Sequence, residues 1–293
     1  MQKGPPTPKG FKDLMPNEAR ARRDFINKVV PILEENGFEP LETPTIEFAE
    51  TLLGKYGEDE KLIYQFEDKG GRKLALRYDL TVPLARFVAN NLGLLSPTFS
   101  RYQIGQVFRG ENPQKGRKRE FTQFDFDVVG SDDIVEDVKV IKAVIRGARA
   151  CGLNDSILQI NDREIFDRFK FSQKQIIEID KIDKIGIDEV NKEVPNVNDL
   201  ESAPKSDRLS IIFEKLESEG LIENKDYSYN PYLARGLNYY TSTIFELKLD
   251  KTPAGLSIGG GGRYDNLVGM FAGRKIPAVG FSYGIDRIIE LQK

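Results

Sequence analysis

Histidine is absent from all 293 residues. With it go the usual general base, the usual zinc ligand and every Ser-His or Cys-His nucleophilic pairing. Any chemistry here must run on positioning, arginine electrostatics and carboxylates, with or without Mg²⁺. A single cysteine, Cys151, excludes an intramolecular disulfide and any multi-cysteine metal site. No apolar run approaches membrane-spanning length and the N-terminus lacks a signal-peptide core, so the expected location is the cytoplasm. No GxxxxGK[ST] string occurs, which removes a P-loop. There is no basic excess either: 43 Lys and Arg stand against 46 Asp and Glu, for a net charge of −3. That balance argues against indiscriminate nucleic-acid binding, while leaving a local basic patch such as residues 115–119 free to meet phosphates.

What remains is a chain with 39% hydrophobic and 30% charged residues, long enough for one large domain with an insertion or for two domains. Its organising stretch is RYQIGQVFRGENPQKGRKREFTQFDFDVVG, Arg101 to Gly130. Two strand-like runs bracket a loop carrying Arg109, Glu111, Lys115, Arg117, Lys118 and Arg119, a hairpin with a cationic tip. Alternation puts Phe124, Phe126 and Val128 on one face and Phe121, Gln123, Asp125 and Asp127 on the other. The polar row reads either as a binding floor or, more commonly for such a pattern, as a face in water.

The proline- and glycine-rich residues 1–10 read as an extended arm. From Asn17, an expected N-cap, Phe25, Val29, Ile32 and Leu33 share a helical face of about 18 residues that stops at Gly37, with Pro31 expected to kink it. FEPLETPTIE reads as a strand. A hairpin turning at Lys69-Gly70-Gly71-Arg72 follows. Asp79 and Thr81 precede an apolar helix, where Asp79 suits an N-cap. Ser131-Asp132-Asp133 opens a helix ending near Gly152. Residues 155–229, rich in Lys, Glu, Asp and Ile, read as helical, and Tyr229 to Leu249 returns to strand character. Gly259 to Gly262 suits a tight turn or a backbone that lets a ligand approach. Val279 to Tyr283 reads as a strand and Ile285 to Leu291 as a helix. Arg287 lies at the start of that helix, against the dipole, a hint that an anion compensates.

Three strings carry a family resemblance. VFRGENPQKGRKREFTQFD resembles the second signature motif of class II aminoacyl-tRNA synthetases, specifically that of the histidyl-tRNA synthetase family. LARGLNYYTSTIFEL resembles that family's histidine signature. GGGGRYDNLVGMFAG with PAVGFSYGIDRIIEL resembles its glycine-rich strand and third motif. The helix plus strand ending at Pro44 is similar to the first motif.

The resemblance implies an α+β fold, a class II aminoacyl-tRNA synthetase-like antiparallel sheet flanked by helices, with an inserted helical domain. Residues 1–154 and 230–293 would form the catalytic domain, and 155–229 the insertion over the tRNA acceptor end. It implies that histidine attacks the α-phosphate of ATP, with Mg²⁺, to give histidyl-adenylate, and that tRNA(His) then takes the acyl group. A carboxylate nucleophile needs no base, in keeping with the missing histidines. Arg109, Arg235 and Arg287 would be the catalytic residues. Arg109, Glu111, Arg117, Phe121 and Arg287 would bind ATP. Asp79, Thr81, Gln123, Asp127, Tyr239, Tyr240 and Tyr264 would hold histidine, and the first motif implies a homodimer.

Tyrosines in a strand usually serve packing, and without Arg235-Gly236 beside them Tyr239 and Tyr240 would be read so. The chain departs from the family pattern at Gly110 and Asn112, which weaken the local positive field, and at Asn238, where the signature has Asp. It stops at Lys293, before an anticodon-binding domain, as an isolated catalytic core or a shortened paralogue would. Two other readings stay open: a histidine-sensing regulatory subunit of ATP phosphoribosyltransferase, and a non-catalytic synthetase-like binding module.

Overall fold

The computed structural model describes residues 4–113, 118–235, 239–249 and 257–292, the side chain of Glu58 apart. The strands are β1 (Glu39–Pro40), β2 (Ile46–Phe48), β3 (Gln65–Glu67), β4 (Lys73–Leu76), β5 (Phe99–Phe108), β6 (Glu120–Val129), β7 (Ser156–Asp162), β8 (Tyr227–Tyr229), β9 (Thr243–Leu249), β10 (Ser257–Arg263) and β11 (Ala278–Gly284). The helices are α1 (Pro16–Glu35), α2 (Ala49–Leu52), α3 (Thr81–Asn91), α4 (Ile134–Ala150), α5 (Glu164–Arg168), α6 (Gln173–Ile179), α7 (Ile182–Ile185), α8 (Ile187–Glu193), α9 (Asp207–Ser218), α10 (Gly269–Ala272) and α11 (Ile285–Leu291).

Among the described residues, eight strands form one sheet in the order β1-β5-β6-β11-β10-β9-β7-β8. The pairings from β5 to β7 are antiparallel, and only the edge strands β1 and β8 join in parallel. The hairpin organises it: β5 and β6 pair over ten positions, from Phe99 opposite Val129 to Phe108 opposite Glu120.

The alternation in β6 sorts its side chains as expected. Phe124, Phe126 and Val128 join Phe281 and Tyr283 of β11 and the apolar stripes of α1, α4, α9 and α11 in the main core. Each fully buried side chain of this size contributes about 1.5–3 kcal/mol. The opposite row does not face water. Gln123, Asp125 and Asp127 are all buried, so the commoner half-solvated hairpin is excluded.

Local details depart from the expected ones for identifiable reasons. Helix α1 begins at Pro16 rather than at an Asn17 cap, because proline at the first helical position surrenders an N–H that would be unpaired anyway. Glu18 reaches back to accept from the Met15 N–H at 3.3 Å. The helix continues through Pro31, which lies on the exposed side, where water can satisfy the freed carbonyl. FEPLETPTIE is two short strands in different sheets, β1 and β2, since its prolines cannot donate to a ladder. A second sheet, β2-β4-β3, carries α2 and α3 beside it.

Residues 155–229 are not helical throughout. Ser156–Asp162 pairs as β7 with β9, and α9 packs on α4 in the main core. Leu158 and Ile160 are buried in β7, an alternation too short to stand out in the sequence. Helices with a core of their own run from Ile165 to Ala203, around Phe166, Ile179, Val197 and Leu200.

Candidate active site

A cavity of about 370 Å³ opens over the polar face of the large sheet. Arg109 enters it from the end of β5, Phe121 and Gln123 from β6, Ser282 from β11 and Arg287 from α11. Arg235 comes from the segment before β9, and Asp180, Ile182 and Asp183 come from the end of α6 and from α7. Three guanidinium-bearing residues far apart in sequence therefore share one hollow.

Each arginine is held differently. The Arg109 Nε donates to the Tyr78 carbonyl at 3.2 Å, and its guanidinium lies 4.3 Å from the centre of the Tyr78 ring and 5.1 Å from that of Phe121. Sandwiched between rings, it is fixed in direction while remaining charged. Arg287 donates from Nη1 to the Ser257 carbonyl at 2.5 Å, which partly offsets its unfavourable place at a helix start. Arg235 has φ +34°, a left-handed backbone that a non-glycine residue adopts at a cost of about 1–3 kcal/mol. Its Nη1 lies 3.2 Å from Glu246 Oε1 on β9. Burial works against the Arg235 charge, but Tyr240, Glu246 and Asp180 outweigh it and raise its pKa. Gly260 of β10 is what lets Arg235 lie there, since a Cβ at that position would overlap the guanidinium.

Beside the cavity lies a denser polar cluster. Asp79 Oδ1 accepts from the Tyr56 hydroxyl at 2.9 Å and from the backbone N–H groups of Thr81 and Val82 at 3.2 and 3.0 Å. One carboxylate oxygen thus supports the start of α3 while Oδ2, buried, has no partner among the described residues. The two readings of Asp79 are compatible, one per oxygen. Thr81 hydrogen-bonds Tyr239, and the rings of Tyr239 lie 4.9 Å from Tyr240 and 5.9 Å from Tyr264. Tyr264 donates its hydroxyl to Asp127 Oδ1 at 2.5 Å, and Arg101 Nη2 lies 2.8 Å from Asp127 Oδ2. Burial pushes the Asp127 pKa up, with Arg101 acting against it.

The sequence-derived residues therefore fall into two adjoining groups. Arg109, Glu111, Phe121, Gln123, Arg235 and Arg287 line the cavity. Asp79, Thr81, Asp127, Tyr239, Tyr240 and Tyr264 form the cluster next to it, joined through the Tyr78–Asp79 segment under Arg109 and through the Arg235–Tyr240 contact. Arg117 and Asn238 lie outside the described residues. Sequence reasoning missed Arg101, Tyr56, Glu246 and Ser282. Arg101 stands directly opposite Asp127 in the β5–β6 register, and a charged pair across a hairpin was a legible signal. Tyr56 and Glu246 had none.

The model for histidyl-tRNA synthetase matches residues 10–182 and 183–288. The chain belongs to the histidyl-tRNA synthetase family. It is 41% identical to the histidine–tRNA ligase of Aeropyrum pernix over 98% of this chain and 74% of the relative. A histidyl-tRNA synthetase structure from Nostoc superposes with a TM-score of 0.86 at 30% identity, covering 99% of this chain and 75% of that one. A structure described as an ATP phosphoribosyltransferase regulatory subunit/histidyl-tRNA synthetase from Bacillus halodurans gives a TM-score of 0.81 at 23% identity over 98% of this chain and 83% of that one, a likeness of fold alone. Like other members of the histidyl-tRNA synthetase family, this chain has the mixed sheet flanked by helices of a class II catalytic core. Among the described residues no helix is long and apolar enough to cross a membrane.

Proposed function

We propose that this chain activates histidine with ATP to histidyl-adenylate and transfers the histidyl group to tRNA(His). The observation that carries the reading is the convergence of Arg109, Arg235 and Arg287 on one cavity. The substrate carboxylate attacks the α-phosphorus, the bond from that phosphorus to the bridging oxygen breaks, and pyrophosphate leaves. An ionised carboxylate needs no deprotonation, so the barrier is lowered mainly by alignment and by charge neutralisation. Arg109 bridges the carboxylate and α-phosphate, Arg235 neutralises developing charge from the opposite side, and Arg287 holds the γ-phosphate. Adenine stacks on Phe121, and Arg117 meets the outer phosphates.

Histidine sits on the polar cluster, its ammonium toward Asp79, Thr81 and Gln123. Its imidazole N–H faces Asp127, with Tyr239, Tyr240 and Tyr264 forming the walls. The free Asp79 Oδ2 and the fixed Asp127 carboxylate support this orientation. Among the described residues no three acidic, cysteine or histidine side chains gather as a metal cage. Mg²⁺ accompanying ATP would be held largely by phosphate oxygens and water, as that ion prefers, with Glu111 on the cavity wall as the protein ligand. Bound so, it would neutralise phosphate charge.

The catalytic domain comes from both ends of the chain, and the helical insertion between them meets the acceptor end of the tRNA. The enzyme works in the cytoplasm as a homodimer. Dimerisation is supported by the small sheet, where Ile46, Phe48 and Phe66 on one face are 45%, 51% and 42% exposed, while Glu47 and Ala75 on the reverse face are buried. Register lays Phe48, Leu74 and Phe66 side by side on that outer face, an apolar surface suited to a second copy.

Histidine-dependent exchange of labelled pyrophosphate into ATP tests the reading. Exchange is expected, and Arg235→Ala is expected to abolish it in a folded protein. No exchange at saturating histidine would overturn the enzyme reading in favour of a histidine sensor.

A further inference from the structure

Gln123 has its amide held from behind. Its Nε2 donates to Ser282 Oγ at 2.8 Å, while Oε1 is buried without a partner among the described residues. Ser282 lies opposite Asp125 in the β6–β11 register and hydrogen-bonds that carboxylate. Asp125 is 3% exposed, and its Oδ1 likewise has no partner among the described residues. Gln123 and Ser282 both line the cavity, whereas Asp125 does not.

A hydroxyl has one proton and two lone pairs. With Asp125 ionised, the Ser282 proton is committed to the carboxylate, and Oγ offers only lone pairs to Gln123. The amide must then present its NH₂ to Ser282, which leaves its carbonyl oxygen facing the substrate. The geometry points to a positioning relay, Asp125–Ser282–Gln123, that sets Gln123 as an acceptor for the ammonium group of the bound amino acid. This deepens the proposed amino-acid pocket and rests on that reading.

The relay has a sign that depends on protonation. Protonated Asp125 would donate to Ser282, Ser282 would donate to Gln123, and the amide would turn its NH₂ toward a cation. Burial pushes the Asp125 pKa up to about 7, with Arg101 opposing and Asp127 and Asp79 adding to the rise. Arg77, Tyr239, Tyr240 and Tyr264 also act on this carboxylate. Asp79 and Thr81 meet the same ammonium, so the relay modulates affinity rather than creating it.

The test is the histidine KM in pyrophosphate exchange across neutral pH for the wild type, Ser282→Ala, Ser282→Thr and Asp125→Asn. Loss of an oriented hydrogen bond to a charged group predicts about a tenfold rise in histidine KM for Ser282→Ala near pH 8, with kcat changed less than about threefold. Ser282→Thr, which keeps the hydroxyl, restores the KM. Asp125→Asn keeps an acceptor for Ser282, so KM near pH 8 stays close to wild type while its rise below about pH 7 is flattened. Titration of the substrate imidazole is common to both proteins and cancels in that comparison.

An unchanged KM in Ser282→Ala, or superimposable pH profiles for Asp125→Asn and wild type, overturns the relay while leaving activation intact. If the wild type shows no exchange, calorimetry of histidine binding in two buffers reads the relay separately. Proton release near pH 7 that is lost in Asp125→Asn supports it, and equal release or no histidine binding overturns it.

Discussion

Gly260→Ala separates the position of Arg235 from its presence. A methyl group on Gly260 would overlap the Arg235 guanidinium, which lies across β10 and reaches Glu246 on the next strand. What it meets is the far end of a flexible side chain, so the backbone need not move, and a stability change within about 1 kcal/mol is expected. The guanidinium, however, must shift. A misplacement of about 1 Å at a reaction centre costs on the order of a hundredfold in rate, comparable with removing one transition-state donor outright. Gly260→Ala is therefore expected to lower kcat for histidine-dependent pyrophosphate exchange by about a hundredfold with an almost unchanged melting temperature. Near-wild-type exchange by a folded Gly260→Ala protein would refute the claim that Arg235 acts from this site.

Three further outcomes follow from particular contacts. Phe121→Ala should raise the KM for ATP about tenfold with a smaller effect on histidine, as loss of one base-stacking surface predicts; an unchanged ATP KM would count against adenine on this ring. Asp125, with a folded pKa of about 7 against an ordinary 3.8, binds its proton more tightly folded than unfolded, so its contribution to stability falls as pH rises between those values. Asp125→Asn should consequently be more stable relative to wild type near pH 8 than near pH 5 by about 3 kcal/mol in denaturant unfolding, and a pH-independent difference would refute this. Phe48→Asp with Phe66→Asp should shift the sedimenting species to a monomer; an unaltered assembly state would place any dimer contact elsewhere.

Much of this arrangement could be read from the chain because β6 alternates cleanly, with Phe124 and Phe126 on one face and Asp125 and Asp127 on the other, and because the helix after Asp133 carries its own start signal in an Asp133 side chain that accepts from the Val135 N–H. The arginines at 109, 235 and 287 were legible through their surrounding strings. Arg101 was legible only as the partner of Asp127 in the hairpin register, since nothing local marks a fully buried guanidinium. Tyr56 likewise matters only once the chain folds it onto Asp79, 23 residues on. Strand β7 was hidden because it pairs with a strand roughly eighty to ninety residues later, a contact that window-based patterning cannot contain.

The most direct measurement is a crystal structure of the chain with ATP and histidinol, which has the amino and imidazole groups of histidine but no carboxylate to react. The triphosphate is predicted to lie between Arg109 and Arg287 with Arg235 facing the α-phosphate, adenine on Phe121 and the imidazole against Asp127. Phosphates bound away from those three guanidinium groups, or histidinol seated outside the Asp79–Asp127 cluster, would contradict the account.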